Sequence, residues 1–354
     1  MIKIKKVGWG FGLCNQNCIH CYNSSSLKKG IPLYTFDELK RVADKICPHI
    51  SDINFGTGEL LINPNSKKLL KYIRDNYPKV KIAVTSNGYS IFVLSKKEIK
   101  YFFHDIDISI DFPDKKRHNA FRRHPMAWDW AMAALKKLEA LNIDRTVTTC
   151  VNSKTTDKDL LELLKLSKKH GAFLRLNWFR KTGRGKKELR LSSLRAWEVI
   201  KFLSDKVEFY SLDSVFAGTL GIKMDPCPAC RGSMRIHQDM SVTPAPYLKG
   251  DNWSAGNILK DEIDLKEIYN SKAFKKIRNR NVKACKDCQY NKLCRSGCIT
   301  RAILHNKDLN EIDDFCPVKA KISKRILNSI DLKVNKNCDL VHDGYLCTTI
   351  IKSL

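Results

Sequence analysis

The 354-residue sequence has no run of 18 apolar residues, so no stretch is long enough to cross a bilayer as a helix. Its first residues, Met1-Ile-Lys-Ile-Lys-Lys, lead directly into a strand-like segment and hold no apolar signal segment. The chain is therefore expected in the cytoplasm, without a membrane partner. Acidic residues are scarce: 37 Asp and Glu stand against 64 Lys and Arg, a net charge of +27. That excess favours an acidic partner in general. The lysines are spread along the chain, however, with no aromatic-interleaved basic platform and no RNA-binding module, which argues against nucleic acid.

Cysteine is abundant. Fourteen cysteines in an intracellular chain argue for metal rather than disulfides. Three lie near the start and seven between Cys227 and Cys316. Cys47, Cys150, Cys338 and Cys347 are scattered and are expected to be ordinary buried or surface thiols.

The first group is Cys14-Asn-Gln-Asn-Cys18-Ile-His-Cys21, after the strand-like run Ile4–Phe11. Three thiolates this close can converge on one metal centre. A cubane iron–sulfur cluster takes four cysteines, so one iron would stay open to another ligand. The competing reading is a zinc knot or unpaired core cysteines, but zinc sites usually show two cysteine pairs or a pair with histidines.

From there to about residue 190 the pattern alternates strands and helices. Strands are expected at 52–55, 80–85, 105–111, 145–152 and 172–178. Helices are expected at 35–47, 64–77, 126–141 and 157–170, the first opened by a Thr35/Glu38 capping box. Such an order predicts parallel pairing with right-handed crossovers and ligands at the carboxyl ends of the strands. In Asp105–Asp111 the alternation places Asp107, Ser109 and Asp111 on one face and Ile106, Ile108 and Ile110 on the other. Polar residues facing a barrel lumen are costly unless something binds there.

The triplet, with Tyr22 just after it and a strand before it, resembles the cluster motif of the radical S-adenosylmethionine (radical SAM) superfamily. The resemblance implies an α/β fold, a partial (β/α)6 TIM-like barrel over residues 1–190. It implies a [4Fe-4S] cluster on Cys14, Cys18 and Cys21 with SAM on its open iron. SAM would be split to methionine and a 5′-deoxyadenosyl radical. His20 stands where the family often has an aromatic residue. Gly56-Thr-Gly-Glu59 resembles the family's Gly-Gly-Glu, with Thr57 replacing one glycine, and implies that Gly58 and Glu59 hold the SAM amino group. Ser86-Asn87-Gly88 resembles Thr-Asn-Gly, and Ser109-x-Asp111 the fourth-strand Ser-x-Asp. His118 and Arg122 look like the His-x-x-x-Arg that often follows; a plain salt-bridging surface is the alternative. Tyr22, Asn152 and Arg175 complete the expected cofactor contacts, and Thr182-Gly-Arg-Gly185 resembles a turn of SAM maturases.

Residues 191–226 read as a bridging helical segment. Cys227-Pro-Ala-Cys230 then precedes a β-hairpin, Met234 to Tyr247, and Cys285-x2-Cys288-x5-Cys294-x3-Cys298 is followed by Cys316. Five cysteines without a histidine pair fit cubane clusters better than zinc. The spacing resembles the SPASM domain, a small Cys-rich extension with up to two auxiliary [4Fe-4S] clusters, here over 227–320. It implies an outer cluster on Cys285, Cys288, Cys294 and Cys316, and an inner one on Cys227, Cys230 and Cys298. The family hairpin ends in Val-x-Pro-Cys, but this chain has Val242-Thr243-Pro244-Ala245. Alanine cannot ligate iron, so the inner site keeps an open iron, recruits another ligand or is absent. Helix is expected after Cys316 to about Ile330, and residues 331–354 show no pattern, so 321–354 is a helical or irregular tail. By the same resemblance the substrate is a peptide or protein that is crosslinked, epimerised or oxidised; a small molecule such as a haem precursor, or RNA, is the alternative. The electron donor would be a flavodoxin or ferredoxin.

Overall fold

The structure is a computed structural model that describes residues 4–27, 30–224, 227, 229–343 and 347–354. The first three residues, the expected boundary at 226, and Pro228 lie outside these.

Six strands form the expected array: β1 (Lys6–Gly10), β2 (Asp52–Thr57), β3 (Lys81–Ser86), β4 (Asp105–Ser109), β5 (Asp144–Val151) and β6 (Phe173–Trp178). Each pairs in parallel with the next. The connections carry α1 (Phe36–Ile46), α2 (Ser66–Asn76), α3 (Tyr89–Val93), α4 (Lys96–Phe102), α5 (Lys115–Arg122), α6 (Ala127–Glu139) and α7 (Asp157–Lys169). Local chemistry sets these bounds. Thr35 caps α1 through the Glu38 amide at 3.3 Å, and Glu38 returns the bond to the Thr35 amide at 2.8 Å. The outward residues of β4, Ile106 and Ile108, are fully buried against the helices, as is Ile110 beyond the strand's end. Each such burial contributes about 1.5–3 kcal/mol.

The sheet then departs from expectation. Residues 191–226 carry α8 (Ser193–Ser204), but also β7 (Val207–Ser211) and α9 (Ser214–Thr219). The hairpin is present as β8 (Ser233–Ile236) and β9 (Val242–Thr243), and β8 pairs in parallel with β1. The patternless tail supplies β10 (Lys333–Val334) and β11 (Thr349–Ser353). Strand β11 lies between β6 and β7, antiparallel to both. Among the described residues the sheet therefore has eleven strands, in the order β10-β7-β11-β6-β5-β4-β3-β2-β1-β8-β9. After Cys316 the helix is only Lys324–Asn328, shorter than expected. No described helix is long and apolar enough to cross a membrane.

Candidate active site and cluster cavities

At the carboxyl ends of the strands lies an open chamber of about 1120 Å³ of atom-free space, its mouth included. Cys14, Cys18 and Cys21 line it together. Their loop is held from two sides. Gly58 has φ +82°, and a Cβ there would sit 2.2 Å from the Leu13 carbonyl. Only glycine lets the β2 end approach so closely. The Glu59 amide donates to that same carbonyl at 2.7 Å. From the far side Gly183 comes so near that a Cβ would lie 2.4 Å from the Cys21 carbonyl. Arg184 then donates to the Cys18 carbonyl at 3.0 Å and the Ser25 carbonyl at 2.7 Å. The Gly-Arg-Gly turn is thus a clamp on the cysteine loop.

The electrostatics suit an electron-poor metal group. Burial pushes the Cys14 thiol far above its usual range, with Glu59 adding to it, and burial pushes Cys18 up to about 11. Buried thiols that resist ionisation gain from a cationic centre that takes the place of their protons. The donors near Cys14 are the Gln16 amide at 3.4 Å and Asn87 Nδ2 at 3.8 Å. Such N–H contacts to sulfur tune a cluster's potential. Three thiols around an open space fit a cluster with one free iron.

The lumen faces as the alternation predicted. Ser109 and Asp111 line the chamber. Asp111 is buried, which by itself would raise its pKa, but the Arg122 guanidinium holds it down at about 2. Arg122 Nε donates to Asp111 Oδ2 at 2.8 Å, and His118 Nδ1 accepts from the Asp111 amide at 3.2 Å. The His118/Arg122 pair is therefore buried machinery behind Asp111, not a surface bridge. His20 stacks on Phe121 with ring centroids 4.5 Å apart, and burial lowers its pKa to about 4. Its ring is thus held neutral and packed against an aromatic neighbour. On the floor Arg175 pairs with Asp107, and His342 Nδ1 from the tail lies 3.2 Å from the same carboxylate. Buried Asn54 Oδ1, His20 Nδ1 and Arg175 Nε have no hydrogen-bond partner among the described residues, as suits a cavity shaped for a polar ligand.

Tyr22, Gly58, Asn87 and Arg175 line the chamber as well. Three expected contacts do not. Glu59 turns into the wall, where its carboxylate accepts from Ser86 Oγ at 2.6 Å, the Asn87 amide at 2.7 Å and the Ser90 amide at 2.9 Å. It anchors the start of α3, and Ser86 stands beside it. Asn152 closes a local turn, donating to the Cys150 carbonyl at 2.7 Å and accepting from the Lys154 amide at 3.0 Å. Asn54, Arg180, Arg235 and Tyr247 line the chamber unpredicted. The period-two alternation of β2 could have found Asn54; nothing local marks Tyr247.

Two further cavities hold cysteines. Cys285, Cys288, Cys294 and Cys316 line a single small cavity, a complete set for one cubane cluster. Cys227, Ala245 and Cys347 line the other. Cys347 is thus no scattered thiol: it lies two residues before β11, a strand that was not legible. Arg180, Pro246 and Tyr247 belong to the walls of both this cavity and the chamber.

Residues 11–167 match the model of the radical SAM superfamily, and residues 227–289 match that of the SPASM iron–sulfur cluster-binding domain. The chain belongs to the radical SAM superfamily and carries a SPASM domain; it is an enzyme whose cofactors are [4Fe-4S] clusters and SAM. It is 27% identical to the mycofactocin maturase MftC of Mycobacterium tuberculosis over 323 residues, 86% of this chain and 80% of the relative. It is 24% identical to an AdoMet-dependent heme synthase of Methanosarcina barkeri, over 86% of this chain and 93% of that one. Many solved structures share its fold. Native anSMEcpe with bound AdoMet gives a TM-score of 0.69 at 17% identity, covering 92% of this chain and 96% of that one. Streptococcus suis SuiB bound to precursor peptide SuiA gives 0.71 at 14% identity, covering 88% and 75%.

Proposed function

We propose that this chain is a maturase that removes a hydrogen atom from a C–H bond of a peptide or protein, leading to a crosslink, an epimer or an oxidised side chain. The observation that carries the reading is the shared wall. The chamber holding Cys14, Cys18 and Cys21 meets the cysteine-lined cavity of the SPASM region at Arg180, Pro246 and Tyr247. A substrate in the chamber would thus sit beside a second redox site. Support also comes from the similarity to a mycofactocin maturase, and from a precursor peptide held by the same fold in SuiB.

Cys14, Cys18 and Cys21 would hold the cluster. When bound, the cluster and SAM together supply a 5′-deoxyadenosyl radical able to break an unactivated C–H bond. The chain's own residues do the rest. The Gly56–Gly58 backbone, Asn87, Ser109 and Asp111 line the space for SAM. Arg122 and His118 keep Asp111 ionised and oriented. Tyr22 is tied to Thr57 Oγ1 at 2.6 Å, and its ring meets Tyr247 at 5.1 Å. These rings wall the chamber and exclude water and stray reductants. Cys285, Cys288, Cys294 and Cys316 would hold an outer cluster. The electron donor would be an acidic flavodoxin or ferredoxin. Fourteen cysteines without a disulfide suit the reducing cytoplasm.

The test is 5′-deoxyadenosine release by anaerobically reconstituted protein given SAM and dithionite, beside Cys14→Ala/Cys18→Ala/Cys21→Ala. The wild type should form the nucleoside and the triple variant none above background. Peptides encoded beside the gene should then change mass on turnover. Nucleoside formation in the triple variant would sink the site assignment. Turnover on a porphyrin precursor with no peptide change would favour the heme-synthase-like reading, which the Methanosarcina relative supports.

A further inference from the structure

The hairpin of this chain ends in Ala245 where the resemblance calls for a cysteine, leaving the inner site with Cys227, Cys230 and Cys298. The structure brings another thiol to that place. Cys347 and Ala245 line the same cavity, with Cys227, Arg180 and Thr300 around them. Cys347 Sγ also lies 3.7 Å from Ser214 Oγ. Its sulfur, that of Cys298 and an Asp213 carboxylate oxygen all lie within 4.8 Å of one another.

The placement is built, not accidental. Cys347 sits two residues before β11, and that strand is held on both edges, by β6 and by β7. Thr348 Oγ1 donates to the Leu176 carbonyl at 2.9 Å. Arg180 Nη2 reaches both the Cys347 carbonyl and Cys298 Sγ, each at 3.3 Å. Asp213 is not the fourth ligand. Arg301 occupies both of its oxygens, at 2.7 Å each. A thiol is also the better partner for an iron–sulfur cluster.

We propose that Cys347 is a ligand of the inner auxiliary cluster, taking the position that Ala245 vacates and completing a four-cysteine set with Cys227, Cys230 and Cys298. Each thiol gives up its proton on ligation. The ligand is thus placed by the segment leading into β11, and the hairpin needs none.

The experiment uses the full chain in the Cys14→Ala/Cys18→Ala/Cys21→Ala background, so that all bound iron belongs to auxiliary sites. Iron, sulfide and the EPR spectrum of the reduced protein are compared for this parent, for added Cys347→Ala, and for added Cys347→Ala with Ala245→Cys. Cys347→Ala should lose about four iron and four sulfide per chain, or convert one EPR signal to another. Ala245→Cys places a thiol in the same cavity and should restore the parent's iron and spectrum. Cys338→Ala should match the parent throughout. The proposal fails if Cys347→Ala keeps the parent's iron, sulfide and EPR spectrum. It also fails if Ala245→Cys brings no recovery, which would assign Cys347 to packing of the last strand. No readout involves turnover, so a wrong substrate class leaves this result untouched.

Discussion

Among single residues, the lumen floor holds the most informative charge. Asp105 is fully buried; burial, then the neighbouring Asp107, push its carboxyl up from 3.8 to about 8. Its Oδ1 accepts the Val341 amide at 3.0 Å, and His342 Nδ1 stands 3.8 Å from its other oxygen. Because the folded-state value is raised, the folded chain keeps a proton that the unfolded chain has lost. Stability is then full below 3.8 and declines as pH rises toward about 8. Asp105→Asn should remove this decline, gaining on the wild type by up to about 1.4 kcal/mol per pH unit within that window. Urea midpoints of both proteins across the window check it; parallel curves would refute it. Gly58→Ala should cost about 1–3 kcal/mol and lower the melting temperature, since a Cβ collides with the Leu13 carbonyl in left-handed backbone. The facing of Asp107, Ser109 and Asp111 was legible because alternation is local. The fate of Glu59 was not: its direction depends on the amides of Asn87 and Ser90, which only the folded start of α3 supplies.

At the scale of elements, the turn at Thr182–Gly185 does what its weak motif hardly suggests. It joins β6 to the cysteine loop through Arg184. Supporting bonds of this kind typically matter 10–100-fold to metal affinity. Arg184→Ala should therefore lose iron from the Cys14/Cys18/Cys21 site about tenfold more readily to a chelator, while iron at the outer four-cysteine site stays. Equal retention by the variant and the wild type would show the clamp to be idle. Strands β1 to β6 and helices α1, α2, α6 and α7 were readable to within a few residues, since each carries its own periodicity, caps or turn; the short α3, α4 and α5 were not. Strands β7, β10 and β11 were not. What makes them strands is partnership across long sequence separation: Ile350 with Arg175 and Ser211, Val334 with Phe209. The position of Cys347 was hidden for that same reason.

For the whole molecule, the +27 charge has a kinetic reading. It steers acidic proteins toward the surface without specifying where they bind. Reduction by an acidic flavodoxin or ferredoxin should slow by about tenfold or more as salt rises from low to physiological strength, while reduction by dithionite changes much less. Stopped-flow bleaching of the cluster absorbance measures both. A donor rate insensitive to salt would remove electrostatic steering from the account. The sheet's own ends are guarded by geometry: β9 and β10 have two residues each, too short to template pairing with another chain.

The seat of β11 between β6 and β7 has a consequence during synthesis. When β6 leaves the ribosome, its outer edge has no neighbour, and β7 follows without being able to pair with it directly. The gap closes only after residue 353 is translated and the nascent chain has turned back across everything made before it. Until then the growing protein presents an open, apolar strand edge to the cell, and slow closure of this kind invites mispairing. The inner cysteine site shares that delay, because Cys347 arrives with the same late segment. With Cys347 as a ligand, that site is completed only once residue 347 has been made, long after Cys14, Cys18 and Cys21.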